Sequence, residues 1–223
     1  MPLLIVFGGL PGTGKTKLAR GLARRLAATH LRFDTIAQSL KAAGLAVRPT
    51  GYVIANALAA DNLRLDRTVI ADCVNPVLAS RIGWRETALR CRARPVEIEI
   101  VCSDPAEHRR RVEDRVADIE GLILPNWDEI TSKPYEPWDQ NPLVLDAAGT
   151  SIDRLVEVGL RCPQDGAQRL ARLISHSEVS TKFFGKFSSG ARAGCTRSLR
   201  NCSVIVLSVR PSGSPKAQVR SLH

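Results

Sequence analysis

Residues 3–16 read Leu3-Leu4-Ile5-Val6-Phe7-Gly8-Gly9-Leu10-Pro11-Gly12-Thr13-Gly14-Lys15-Thr16. The first five form an apolar run of strand length, as expected of a strand covered on both faces. Past Thr16, leucines recur at positions 18, 22 and 26, which puts them on one face of a helix. Between strand and helix, Gly9 to Thr16 satisfies the pattern G-x-x-x-x-G-K-[ST]. Such a match arises by chance in about one chain in a hundred of this length. Here it also has the strand–turn–helix setting that its chemistry needs. Glycines let the backbone curl until successive N–H groups face inward, and the helix behind adds the positive end of its dipole. Gly9, Leu10, Pro11, Gly12, Thr13, Gly14, Lys15 and Thr16 are therefore expected to cradle ATP. Lys15 should reach the β- and γ-phosphates, and the Thr16 hydroxyl should ligate Mg²⁺.

Outward from this loop, apolar runs alternate with helical patterns, the signature of βαβ units and a parallel sheet. Further strands are expected at 30–33, 68–71, 96–101 and 143–145, with helices at 34–43, 51–65, 105–116 and from about 151. Pro105 suits the first turn of its helix. The Pro- and Trp-bearing stretch 118–141 reads as an irregular lid. One α/β domain over residues 1–175, with a lid at about 105–141, accounts for this pattern.

Residues 176–223 differ in kind. They hold ten serines and eight of the 32 Lys+Arg, with Glu178 as their one acid. Most of the net charge of +10 is therefore in the tail. Val204-Ile205-Val206-Leu207 is its one strand-like run. The tail reads as largely disordered, or as an aberrant end of the gene. A nucleic-acid partner for it is the less favoured reading.

Composition, at 44% hydrophobic and 24% charged, is that of a globular protein. No apolar run nears the roughly 20 residues that span a bilayer, and no export signal precedes Leu3. A cytoplasmic location follows as the expectation. The six cysteines include no C-x-x-C pair, so neither disulfides nor a zinc site are expected.

Four further residues carry candidate chemistry. Asp72 ends the strand Thr68-Val69-Ile70-Ala71, where a carboxylate supports Mg²⁺ as a Walker B acid does; the alternative is an Asp capping a turn before Asn75-Pro76. Asp34 follows Leu31-Arg32-Phe33, at the carboxyl end of a strand, where ligand crevices form. It is a candidate base for an acceptor hydroxyl or a helix N-cap, with Arg32 as a substrate-orienting neighbour. Arg111 and Arg115 are four apart on the expected helix, so both would project from one face toward transferring phosphates. Arg109 and Arg110 read as surface, and Trp127, Tyr135 and Trp138 as anchors of the lid. His30 and His108 show no catalytic partner pattern.

At this point the chain resembles a family of small P-loop kinases often labelled AAA-family ATPase or ATP-binding protein. These are related to gluconate kinase, chloramphenicol phosphotransferase, zeta toxins and the kinase domain of polynucleotide kinase. The resemblance is carried by residues 7–16, 31–36, 59–65, 71–76, 102–115, 135–138 and 143–146. It implies a P-loop NTPase three-layer sandwich with a five-stranded parallel sheet flanked by helices. It also implies phosphoryl transfer to a small hydroxyl acceptor, an arginine-bearing lid, and Asp34 as base. Relatives that phosphorylate polynucleotide ends carry an Arg three residues after that Asp; here the position is Ala37.

The expected activity is transfer of the γ-phosphate of ATP to a hydroxyl of a small molecule whose identity the sequence leaves open, as it does the oligomeric state. The alternatives are an AAA-type ATPase, or a nucleotide-dependent nucleic-acid-processing protein using the basic tail. No separate helical domain follows the loop domain, which speaks against a ring-forming motor.

Overall fold

Along β1 (Leu3–Gly8), successive side chains enter two different cores. Ile5 and Phe7 point to one face, with Leu18, Ala19 and Leu22 of α1 (Lys15–Leu26). Leu4 and Val6 point to the other, with α3 (Thr50–Arg64) and α4 (Leu78–Arg90). Both sets are almost wholly buried, which is why β1 reads as an unbroken apolar run rather than an alternating one.

This is the central strand of a computed structural model that describes residues 1–160 and the backbone of a two-residue strand, Val206–Leu207. Beside β1 on one side lie β3 (Val69–Asp72) and then β2 (Thr29–Arg32); on the other lie β4 (Arg94–Val101) and β5 (Leu143–Asp146). Every pairing is parallel, with Ile5 opposite both Ile70 and Val96 and Ile98 opposite Leu143. The five expected strands are all present. At the edge of β5, β6 (Val206–Leu207) adds a sixth, short parallel strand, within the run 204–207. The expected boundary near 175 and the remainder of the tail lie outside the described residues.

A helix labelled α7, from residue 152 to the end of the continuous described chain at 160, packs Leu155 and Val156 beside α1. Helices α1 and α7 cover one face of the sheet, and α3 and α4 the other. α2 (Phe33–Ala42) begins immediately after β2. The chain moves from β1 to one side of the sheet for β2 and β3, and to the other for β4 and β5. In sheets of this kind such a reversal is the point, at the carboxyl ends of the strands, where ligand crevices form.

Two expectations need correction. The helix after β4, α5 (Pro105–Glu113), is capped by Asp104, whose side chain accepts from the Ala106 and Glu107 N–H groups. It ends at Glu113 rather than near 116, so Arg115 lies beyond the helix and does not share a face with Arg111. The stretch 118–141 is not wholly irregular. It contains α6 (Trp127–Ser132), closed at its start by a capping box between Asn126 and Glu129. That box was legible as an Asn followed three residues later by a Glu. The flanking prolines drew the reading toward a loop instead. No described helix is long and apolar enough to cross a membrane.

Candidate active site

The turn from Gly9 to Thr16 is built to leave its backbone open. Gly9, Gly12 and Gly14 have φ of 124°, 86° and 96°, a region that side-chain-bearing residues rarely enter. A Cβ on Gly9 would overlap the Ile100 carbonyl oxygen, and one on Gly12 would lie 2.5 Å from a Val112 methyl. The Gly9 N–H donates to Val74 O at 3.1 Å, so the turn is wedged between the exits of β3 and β4. No side chain caps the start of α1, which leaves its first N–H groups for an anion.

Gly9→Ala is therefore expected to destabilise the protein by about 3 kcal/mol or more. Gly44 also has positive φ but nothing within 4 Å of a built Cβ, so Gly44→Ala should cost only about 1–2 kcal/mol. Urea denaturation of the two variants checks this. Equal losses would mean that backbone conformation alone, not the approach to Ile100, sets the requirement.

Lys15 is buried, and its Nζ donates to Leu10 O at 2.7 Å. Burial pulls its ammonium down to about 8, opposed by the nearby carboxylates of Asp72 and Asp34, with Arg115 adding to the depression. The four side chains thus share one electrostatic neighbourhood. Asp72 is buried at the end of β3, one step past the Val6–Ala71 pair, where β1 enters the turn. His30 Nε2 lies 3.2 Å from its Oδ2. Asp34 stands in the first turn of α2, but the N-cap position is Arg32 and no side chain caps that helix. The capping alternative for Asp34 is thereby set aside. Its carboxylate lies 3.7 Å from Arg115 and 3.9 Å from Arg32.

Arg111 faces elsewhere. One of its guanidinium nitrogens donates to Glu107 at 2.6 Å and to Ala147 O at 2.8 Å, while Glu107 accepts from the Gly149 N–H at 3.0 Å. Arg109 and Arg110 pair with Glu113 and Asp114 on the surface. Of the two arginines singled out in the sequence, Arg115 is the one beside Lys15 and Asp34.

The segment after β3 braces the loop. Asn75, fully buried with φ of 49°, donates from Nδ2 to Phe7 O at 2.7 Å and accepts from the Trp84 indole N–H at 3.0 Å. Arg81, also fully buried, donates to the carbonyls of Asn75, Pro137 and Glu136 at 3.0, 2.7 and 2.6 Å. Its guanidinium lies 4.4 Å from the Trp138 ring centroid and 5.4 Å from that of Tyr135. Arg85 binds both Glu97 and Asp139. Residues 135–139 are thus clamped onto α4 and β4, and Trp138 packs against Gly8. From the far side, His108 Nε2 meets Pro11 O at 2.7 Å. Burial depresses this imidazole's affinity for a proton, consistent with a neutral ring donating to the carbonyl.

Sequence reasoning singled out neither Arg81, Asn75 nor His108 for these roles. Arg81 had a signal: it shares a helical stripe with Trp84 and Ala88, and a charge in an apolar stripe needs a partner. A groove of about 520 Å³ between α3 and α4, lined in part by Tyr52, Asn56 and Thr87, shares no residue with the loop.

The residues present fit a nucleoside triphosphate with Mg²⁺. The buried Lys15 ammonium, held by one neutral carbonyl, suits an anionic partner. Gly9 and Gly12 leave no room for a Cβ, and the Thr16 hydroxyl and Asp72 carboxylate are oxygen donors of the kind Mg²⁺ takes.

A parallel five-stranded core with a phosphate-binding turn after its first strand defines the class: a P-loop kinase fold. Residues 4–132 match the AAA domain family, and the chain belongs to that family. No curated protein matches it in sequence. Among solved structures it is similar to the Mycobacterium tuberculosis APS kinase CysC in complex with AMPPNP and APS, at 20% identity over 73% of this chain and 98% of that one, with a TM-score of 0.59. A gluconokinase from Sinorhizobium meliloti 1021 is 17% identical over 78% and 95% of the two chains, with a TM-score of 0.52. A sugar kinase from Janibacter sp. HTCC2649 is 17% identical over 75% and 97%, with a TM-score of 0.51. At these identities the likeness is one of fold.

Proposed function

We propose that this protein transfers the γ-phosphoryl group of ATP to a hydroxyl of a small molecule. What supports the reading above all is one juxtaposition: the Lys15 ammonium, the Asp72 and Asp34 carboxylates and the Arg115 guanidinium within a single field at the carboxyl edge of the sheet. Two acids with different surroundings suit two different tasks.

In this reading the glycine turn and the start of α1 hold the phosphates, and Lys15 bridges the β- and γ-phosphates. Thr16 and Asp72 would hold Mg²⁺, which when bound supplies charge neutralisation between the phosphates. Asp34 orients the acceptor hydroxyl and takes its proton as the new oxygen–phosphorus bond forms. The bond from the γ-phosphorus to the bridging oxygen breaks, and ADP departs with that electron pair. Arg115 stabilises the charge spread over the transferring group. A cytoplasmic location, where ATP is supplied, belongs to the same reading.

Asp34→Asn is expected to leave ATP affinity within about twofold and to lower transfer by about 10²–10⁴-fold. The measurement is a γ-phosphate transfer screen with the full chain over sugars, nucleosides, antibiotics and RNA ends, repeated with the variant on the best acceptor. Transfer at an undiminished rate would move the base to another residue. Hydrolysis without any acceptor dependence would replace the kinase by an ATPase.

A further inference from the structure

Asp118 lies in the connection between α5 and α6, far in sequence from the residues it binds. Its two carboxylate oxygens accept from Arg32 at 2.9 and 2.8 Å, and one of them also accepts from Arg20 at 2.7 Å. These contacts hold its carboxyl well below the usual carboxylate range. Asp118 itself is 43% exposed in its side chain, whereas that of Arg32 is 7% exposed. A half-open loop thus supplies the counter-charge for a buried guanidinium.

The pairing is incomplete on the buried side. Arg32 Nε, although buried, has no hydrogen-bond partner, and neither has the Gln38 amide oxygen on α2. The Gln38 side chain approaches Gly121, where a built Cβ would lie 2.7 Å from Nε2. The segment 118–121 thus meets Arg32 and Arg20 at Asp118 and Gln38 at Gly121, and both Arg32 and Gln38 keep one buried polar atom unused. An arginine keeps its charge at any working pH, and leaving it buried without an anion is costly. If the loop moves aside to admit a ligand, Arg32 keeps, among the described residues, only Asp34 within ion-pair distance, and another oxyanion can take the place of Asp118. Arg32 is also 3.9 Å from Asp34, so an anion gripped by Arg32 would hold an attached hydroxyl beside that carboxylate.

We propose that the acceptor carries an oxyanion — a carboxylate, phosphate or sulfate — that displaces Asp118 from Arg32 and Arg20, making Asp118 an internal stand-in for the acceptor's charge. This rests on the kinase reading only for the word acceptor; the anion site is a separate property. In the free protein the stand-in keeps Arg32 paired. On exchange, the segment around Asp118 is released and the acceptor is selected for its charge.

The test uses the full chain saturated with Mg²⁺ and AMPPNP, so that the phosphate turn is filled. Sulfate, glycerate and neutral glycerol are titrated calorimetrically. Asp118→Asn should tighten the binding of sulfate, of glycerate or of both by about tenfold, and Arg20→Gln should loosen it by a similar factor. Which anion responds separates a tetrahedral from a planar group. Glycerol should show no dependence on either residue. Both substituted side chains are well exposed, so folding is expected to survive; melting curves check it, and added sulfate should raise the Tm of Asp118→Asn more than that of the parent. Anion affinities unchanged in Asp118→Asn, or an equal gain for glycerol, would overturn the proposal. Failure of AMPPNP to bind would instead remove the nucleotide reading, and the glycerate titration would still decide the anion site.

Discussion

Lys15→Ala is expected to abolish turnover, lowering kcat/KM for ATP by about 10³-fold or more, roughly 4 kcal/mol of transition-state stabilisation. The size follows from where the ammonium sits. It is buried at the start of α1, bonded to Leu10 O at 2.7 Å, and burial has reduced its hold on a proton. A phosphate oxygen would meet a donor already stripped of water and already oriented, so little reorganisation is needed. Alanine removes that donor and leaves the Asp72 and Asp34 carboxylates facing the phosphates with one cation fewer. ATP affinity should fall with turnover, because the ground-state triphosphate uses the same charge. Equilibrium binding of a fluorescent ATP analogue and single-turnover transfer separate the two effects. A variant that turns over at near-normal rate would mean that the triphosphate is held elsewhere.

The largest effect on stability is expected from Arg81→Ala, at about 3–5 kcal/mol. Arg81 is fully buried and supplies three donors to the carbonyls of Asn75, Glu136 and Pro137. Among the described residues it forms no salt bridge within 4.0 Å, and its charge rests on carbonyl oxygens, on the Trp138 and Tyr135 rings, and on nearby Glu99. Truncation would leave three carbonyls without this donor and open a large void under residues 135–139. Arg81→Lys should recover little, because an ammonium cannot span the same fork of acceptors. Urea unfolding of both variants measures the loss, against a total of about 5–15 kcal/mol for a domain of ordinary stability. A loss below about 1 kcal/mol would show that water replaces the guanidinium without cost. Since Asn75 also holds Phe7 O, ATP binding should weaken in step with stability.

The glycine turn after β1 was legible because its requirements are local. Gly9, Gly12 and Gly14 are required by backbone angles, and Lys15 and Thr16 by their distance along the chain from those angles. The strands were legible for a related reason: a strand buried on both faces must be apolar at every position, as β1 is. Asp34 and Asp72 could be nominated because each directly follows or ends an apolar run, and carboxyl ends of parallel strands form one edge.

Local pattern is silent where contacts skip along the chain. Arg111 and Arg115 have the spacing of one helical face, yet the helix stops at Glu113, and Arg115 turns to Asp34 while Arg111 is taken by Glu107. Helix α6 is obscured in the sequence because the prolines that flank it, Pro125 and Pro134, outweigh its capping box. Asp118 pairs with Arg20 and Arg32 across 98 and 86 residues, a separation that no local pattern encodes.

The sequence by itself determined the glycine-rich loop after the first strand, the five strands of a parallel sheet, and membership of a P-loop fold, since periodicity and backbone angle act between near neighbours. Only the tertiary structure decided which arginine stands at the loop and what pins residues 135–139. It alone set Asp118 as the carboxylate that keeps Arg32 paired. A buried charge must find its counter-charge in space, and distance along the chain does not limit where that partner lies.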